Sequence, residues 1–130
     1  MEKLFKEAQK VLNNSYSPYS NFKVACAILM NDGKIITGVN VENASYGLSI
    51  CAERNAMFHA IALGYKAKDI KALLTTTDKE YFVTPCGACR QVIKELCAED
   101  AKIYVTNSKG ECHTYTIDEL LPDGFSEGDL

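Results

Sequence analysis

The chain has no block of basic residues, no long apolar run, no internal repeat and no low-complexity tract. Its 14 Lys and Arg are outnumbered by 17 Asp and Glu, giving a formal net charge of −3. A polynucleotide grip needs a basic stripe to displace counterions from phosphates, so no nucleic-acid polymer is expected as a partner. The longest apolar run, Val24 to Met30, is far too short to span a bilayer, so no membrane partner is expected either. The N-terminus alternates charged and apolar residues and shows no apolar signal-peptide core, which points to a cytoplasmic location. What remains is ordinary: 130 residues, 47% apolar and 24% charged, matching a soluble globular protein. That length builds one sizeable core, and a single domain over residues 1–130 is expected.

Cysteine is what the chain does have. Six thiols without a secretory signal favour a reducing compartment, where they serve as metal ligands, catalysts or small core hydrophobes. Three of them fall in two short segments, Cys51-Ala52-Glu53 and Pro85-Cys86-Gly87-Ala88-Cys89. Cys86 and Cys89 are three apart at an expected helix start, so their sulfurs face the same way. Cys51 opens another expected helix. Helix N-termini stabilise thiolates, and two of them can point at one metal. Three thiolates leave a zinc ion an open fourth position, which suits activating water more than holding a fold together. Glu53 is two residues from a ligand and is poorly placed to bind the same ion. Three thiolates around a dication leave one negative charge in excess, which the helix ends and Arg54 can offset.

Other readings exist. Cys-Gly-Ala-Cys at a helix start also looks like a thiol redox pair, or like half of a structural zinc site. The structural site needs a fourth ligand, and no second C-x-x-C exists; the redox pair leaves Cys51-Ala52-Glu53 unexplained. Cys26 lies in the apolar run and Cys97 ends an apolar helical stripe, so both read as core. Cys112 beside His113 is either a weak metal pair or a turn or edge-strand position.

Periodicity predicts a helix over 2–13, a strand buried on both faces over 22–30, a turn at Asn31-Asp32-Gly33-Lys34 and an antiparallel strand over 34–41. A helix follows over 51–63, with Ala52, Ala56, Ala60 and Leu63 on one stripe and Gly64 as its stop. Strands over 70–77 and 103–106 flank a helix that Thr84 can cap and Pro85 can open, with Val92, Ile93, Leu96 and Cys97 inward. A weak strand over 112–116 and a short helix over 117–121 complete an α/β order with helices on both faces of a mixed sheet.

The C-x-E…P-C-x-x-C pattern resembles the zinc-dependent cytidine deaminases, part of a wider class with this signature. The likeness runs over nearly the whole chain. Ser17-Pro18-Tyr19-Ser20-Asn21-Phe22-Lys23-Val24 matches that family's S/A-P-Y-S-x-F-x-V stretch, and Asn40-Val41-Glu42-Asn43 its N-x-E-N loop. Ala25 stands where the family usually has Gly. The resemblance implies a three-layer α/β/α fold with a mixed sheet of about five strands. It also implies one Zn²⁺ per chain on Cys51, Cys86 and Cys89, with Arg54 against the ligand thiolates. Glu53 would move protons between the activated water, the pyrimidine ring nitrogen and the departing ammonia. The activity implied is deamination of cytidine and deoxycytidine in pyrimidine salvage.

For the substrate, the resemblance places Phe22 on the pyrimidine face, and Asn40 and Glu42 on the ribose, with Glu42 taking the 3′-hydroxyl. Val41 belongs to the same loop, Tyr46 lines the sugar pocket, and the Ala52 N–H meets the base carbonyl. Phe125 would stack on the base from a neighbouring subunit, because the short three-cysteine members are homotetramers with shared sites. Each residue has a plainer reading. Phe22 can be core, Asn40 a turn former, Glu42 a solvated charge and Phe125 an anchor for the tail. His59, mid-helix, faces away from Glu53. An acidic sugar loop without a basic cluster favours a nucleoside over a nucleotide.

Overall fold

A computed structural model describes all 130 residues, Met1–Leu130. In chain order the elements are α1 (Glu2–Leu12), β1 (Val24–Met30), β2 (Ile35–Val39), α2 (Ala52–Ala62), β3 (Ile70–Thr77), α3 (Gly87–Leu96), β4 (Cys97–Thr106), β5 (Cys112–Tyr115) and α4 (Ile117–Leu120). Single 3₁₀ turns lie at Tyr46–Leu48 and Glu127–Asp129. The sheet order is β2-β1-β3-β4-β5, with only the β3–β4 pair parallel. The expected mixed five-stranded sheet and element order are both present.

β1 is apolar throughout, and β3 over Ala72 to Leu74, because both faces of the sheet are covered there. On one face Ala25 and Ala27 of β1, with Ala72 and Leu74 of β3, meet Leu4 and Ala8 of α1. On the other, Cys26, Ile28, Met30, Leu73 and Ile103 meet Ala52, Ala56, Met57 and Ala60 of α2, Ile93 of α3, and Ile117 and Leu120 of α4. The side-chain alternation of a strand thus serves two layers of helix. Cys26 and Cys97 are both fully buried, as core thiols. Gly33 takes φ +88 in the β1–β2 turn, where a side chain is strained.

Register brings the functional loops to one end of the sheet. Val24 pairs with Thr77 and Ala25 with Val39. The start of β1 and the ends of β2 and β3 therefore lie side by side. The segment leaving β2 runs into α2, and the one leaving β3 runs into α3, so both helices begin at that end.

Two local expectations are corrected. Thr84 does not cap α3: Cys86 is the N-cap, at φ −67 and ψ 167, and the Thr84 hydroxyl instead accepts from Arg90 Nη2 at 2.9 Å. Arg90 also donates to the carbonyls of Pro85 (2.7 Å) and Leu120 (2.8 Å), which holds the Thr84–Pro85 segment outside the helix. Leu63 is not in the buried stripe of α2 but 59% exposed, because the helix ends at Ala62 and the chain turns at Gly64, φ +100.

Candidate active site

Cys51 caps α2 with φ −70 and ψ 156, and Cys86 caps α3 in the same extended conformation. Neither helix has a side-chain cap hydrogen bond, so first-turn N–H groups remain free to stabilise negative charge. Cys89 follows one turn later and is buried. The three sulfurs lie within 4.8 Å of one another, and Cys51 Sγ is 3.7 Å from Cys86 Sγ. A tetrahedral zinc with Zn–S bonds of about 2.3 Å sets its sulfurs about 3.8 Å apart, so the donor set fits that ion. No fourth His, Cys, Asp or Glu joins the cluster.

Charge is arranged around these thiols. Arg54 Nη2 donates to Cys51 Sγ at 3.5 Å, while its buried Nε has no partner. Cys51 and Cys89 titrate as a pair. Cys51 is lowered to about 5, by the hydrogen bond from Cys89 first and then by Arg54 and Cys86. Cys89 is raised, by that same hydrogen bond and by burial. The trio thus gives up its first proton easily.

Glu53 is 4% exposed, and burial above all raises its pKa to about 7, with the Cys51 charge adding to it. A carboxyl poised near neutrality can both take and return a proton. The Ala52 N–H belongs to the first turn, where intrahelical bonding starts only with Asn55 N–H to Cys51 O at 3.1 Å. His59 is exposed, in a cleft that Val41, Glu42, Leu48 and Asn55 also line.

The residues expected to meet substrate gather at the same end of the sheet. Val41 exchanges two backbone hydrogen bonds, both 3.0 Å, with Ile50, the residue before Cys51. It also bridges to Tyr16, which fastens the 40–42 loop to the metal-ligand segment. Asn40 does more than form a turn. Its Oδ1 accepts from Ser15 Oγ and from Val24 N–H (2.9 Å), and its Nδ2 donates to Phe22 O (2.8 Å). The second N–H of its amide makes no hydrogen bond within the chain.

Glu42 is not a freely solvated charge. Its Oε1 accepts the N–H groups of Tyr19 (3.0 Å) and Ser20 (3.2 Å), and its Oε2 accepts the Ser20 hydroxyl. The Ser20 bond in particular holds its carboxyl below the usual range. Glu42 and Tyr46 line one cleft of about 310 Å³ with Tyr19, Ser20 and Ser49. The rings of Tyr19 and Tyr46 meet edge to face at 5.9 Å. Phe22 is half-buried, 6.2 Å from the Tyr81 ring and 5.8 Å from Lys79 Nζ.

Phe125 is 55% exposed on the tail, where Gln91 Nε2 holds its carbonyl at 2.8 Å, and it pairs with no other aromatic ring of the chain. Cys112 and His113 stay outside the metal cluster, and His113 stacks on Phe82 at 3.8 Å. Two residues escaped sequence reasoning. Asn55, whose Nδ2 donates to Val39 O at 2.8 Å, latches α2 to β2, and Ser20 braces Glu42. Ser20 was visible only as part of a matched stretch, and Asn55 only as a polar residue inside a helix.

A sequence profile described as "Cytidine and deoxycytidylate deaminase zinc-binding region" matches residues 1–106. The chain belongs to this deaminase family. It is 47% identical over 127 residues to a cytidine deaminase of Halalkalibacterium halodurans, covering 98% of this chain and 95% of that one. A crystal structure of cytidine deaminase from Burkholderia pseudomallei superposes with a TM-score of 0.91 at 44% identity, covering 95% of this chain and 98% of that one. Cytidine deaminase from Mycobacterium tuberculosis gives a TM-score of 0.81 at 34% identity over 95% of each chain. The deaminase family is zinc-binding, and the Cys51, Cys86 and Cys89 trio supplies the donors for one ion per chain.

Proposed function

We propose that this chain is a cytidine and deoxycytidine deaminase, releasing ammonia and leaving uridine or deoxyuridine. The observation that carries this reading is a three-sulfur cluster without a fourth protein ligand, with the buried carboxylic side chain of Glu53 two residues from Cys51. The close likeness to cytidine deaminases supports it.

Cys51, Cys86 and Cys89 would hold zinc, which supplies Lewis acidity and lowers the pKa of a water at its open position. Glu53 then accepts a proton from the attacking water and places it on the pyrimidine ring nitrogen. The water oxygen bonds to the amino-bearing carbon. Glu53 then takes the proton of the new hydroxyl and passes it to the amino nitrogen; the carbon–nitrogen bond breaks as that oxygen becomes a carbonyl, so water and cytidine become uridine and ammonia. Arg54 offsets the excess negative charge of the thiolates. The Ala52 N–H faces the base carbonyl, Phe22 packs on the ring, and Glu42 and the spare N–H of Asn40 take ribose hydroxyls. Val41 and Tyr46 complete the sugar side.

The whole of residues 1–130 serves as one catalytic domain, in a cytoplasmic pyrimidine-salvage role. No helix is long and apolar enough to cross a membrane. The working form is a homotetramer in which Phe125 reaches a neighbour's base site. Its support is the outer surface of α2: Phe58 is 46% and Ile61 44% exposed beside Leu63, and Leu48 at 66% adds to them. Exposed apolar side chains clustered on one surface normally mark an interaction site.

The test is ammonia release from cytidine, deoxycytidine, cytidine monophosphate, cytosine and blasticidin S, with metal analysis of the same preparation. Activity on the two nucleosides at one zinc per chain is expected. Glu53→Gln should keep zinc and lose at least 10²-fold in kcat, on the order expected for a proton-transfer group. Near-wild-type turnover in that variant, or a metal-loaded protein inert to both nucleosides, overturns the assignment.

A further inference from the structure

We propose that Ser20 is a positioning residue that joins the base side of the nucleoside pocket to its sugar side and selects the oxygen of Glu42 that receives the ribose. This rests on the reading of Phe22 and Glu42 as substrate contacts. The Ser20 hydroxyl donates to Glu42 Oε2 and accepts from the Phe22 N–H at 3.1 Å. One atom therefore ties the backbone of the base-facing residue to the carboxylate of the sugar-facing one. Asn21 takes φ 54, which bends the chain so that the Phe22 N–H returns to Ser20. Asn is among the few side chains that tolerate that region.

A carboxylate oxygen has two lone-pair positions. Oε1 spends both on the N–H groups of Tyr19 and Ser20, at 3.0 and 3.2 Å. Oε2 spends one on the Ser20 hydroxyl and keeps one. The hydroxyl of a bound sugar thus finds a single vacant acceptor position, whose direction the Ser20 bond fixes. Without that hydroxyl, Oε2 has two vacant positions and the carboxylate is held at one oxygen only. The loss then falls on recognition of the sugar hydroxyl rather than on the protein's core, because Ser20 is exposed.

The experiment compares kcat/KM for cytidine and 3′-deoxycytidine in the wild type, Ser20→Ala, Ser20→Thr and Glu42→Gln. The ratio of the two is internal to each variant, so the folded fraction cancels. The wild type should prefer cytidine. Ser20→Ala should shrink that preference about tenfold, through KM with kcat nearly unchanged, as expected for one lost hydrogen bond to a charged group. Ser20→Thr, which keeps the hydroxyl, should restore it. Glu42→Gln should remove most of the preference, and adding Ser20→Ala should reduce it little further. A wild-type-sized preference in Ser20→Ala, beside a collapsed one in Glu42→Gln, overturns the role of Ser20 and leaves the sugar contact standing. No preference in the wild type, unchanged in Glu42→Gln, overturns the sugar contact itself and the proposal with it.

Discussion

Gly38 lies on β2 where α2 crosses it, and replacing it with alanine tests how tightly the site depends on the placement of that helix. A methyl group there would sit 2.4 Å from Ala56 N, 2.8 Å from Ala52 O and 2.9 Å from Ala56 Cα. All three are backbone atoms, so no side-chain rotation relieves the clash. Ordinary contact between such atoms lies near 3.5 Å, so α2 must retreat from the strand by about 1 Å. The latch from Asn55 Nδ2 to Val39 O, now 2.8 Å, then stretches beyond hydrogen-bonding range. Cys51, Ala52 and Glu53 ride on the moving end of the helix. A misplacement of about 1 Å can cost about 10²-fold in rate, whereas overpacking a core costs about 1–3 kcal/mol in stability. Gly38→Ala is therefore expected to fold and to lose about 100-fold in kcat/KM per zinc-loaded molecule. Ammonia release normalised to zinc content, beside a urea unfolding curve, measures both effects. Activity within threefold of wild type at an unchanged unfolding midpoint would refute the reasoning.

Asn40→Ala removes three internal hydrogen bonds at once, from Ser15 and Val24 and to Phe22, and should cost about 2–3 kcal/mol in urea unfolding while raising KM. An unaltered unfolding midpoint would show that those bonds contribute nothing net. Glu53 makes stability pH-dependent in the metal-free protein. Its folded pKa of about 7 lies above the ordinary 4.5, so its contribution is fully present below 4.5 and is lost as pH rises through 7. Metal-free Glu53→Gln should therefore gain on the wild type between those pH values, by about 2–3 kcal/mol at the upper end, and parallel stability curves would contradict this. Replacing Phe58 and Ile61 with serine should dissociate the proposed tetramer in light scattering, and an unchanged mass would place any interface elsewhere.

Much of the site was legible because it is local. The Cys86–Cys89 spacing puts two sulfurs on one helix turn, and the position of Glu53 two residues after Cys51 keeps it near the metal without ligating it. Strand and helix order was readable because the apolar patterns are long and Gly33 and Gly64 mark real turns at positive φ. Thr84 misled because a good capping side chain was captured by Arg90, a residue inside the following helix. Leu63 misled because helical periodicity does not say where the helix stops.

The sequence by itself determined the chemistry available: which thiols share a helix start, which carboxyl lies beside them, and which apolar segments become strands. Only the tertiary structure decided that Cys51 meets Cys86. That contact needs the β1–β2 and β1–β3 registers to bring the starts of α2 and α3 to one end of the sheet. It also decided the commitments of Asn40, Glu42 and Ser20, because a hydrogen bond forms only between groups that distant parts of the chain carry within about 3 Å of each other.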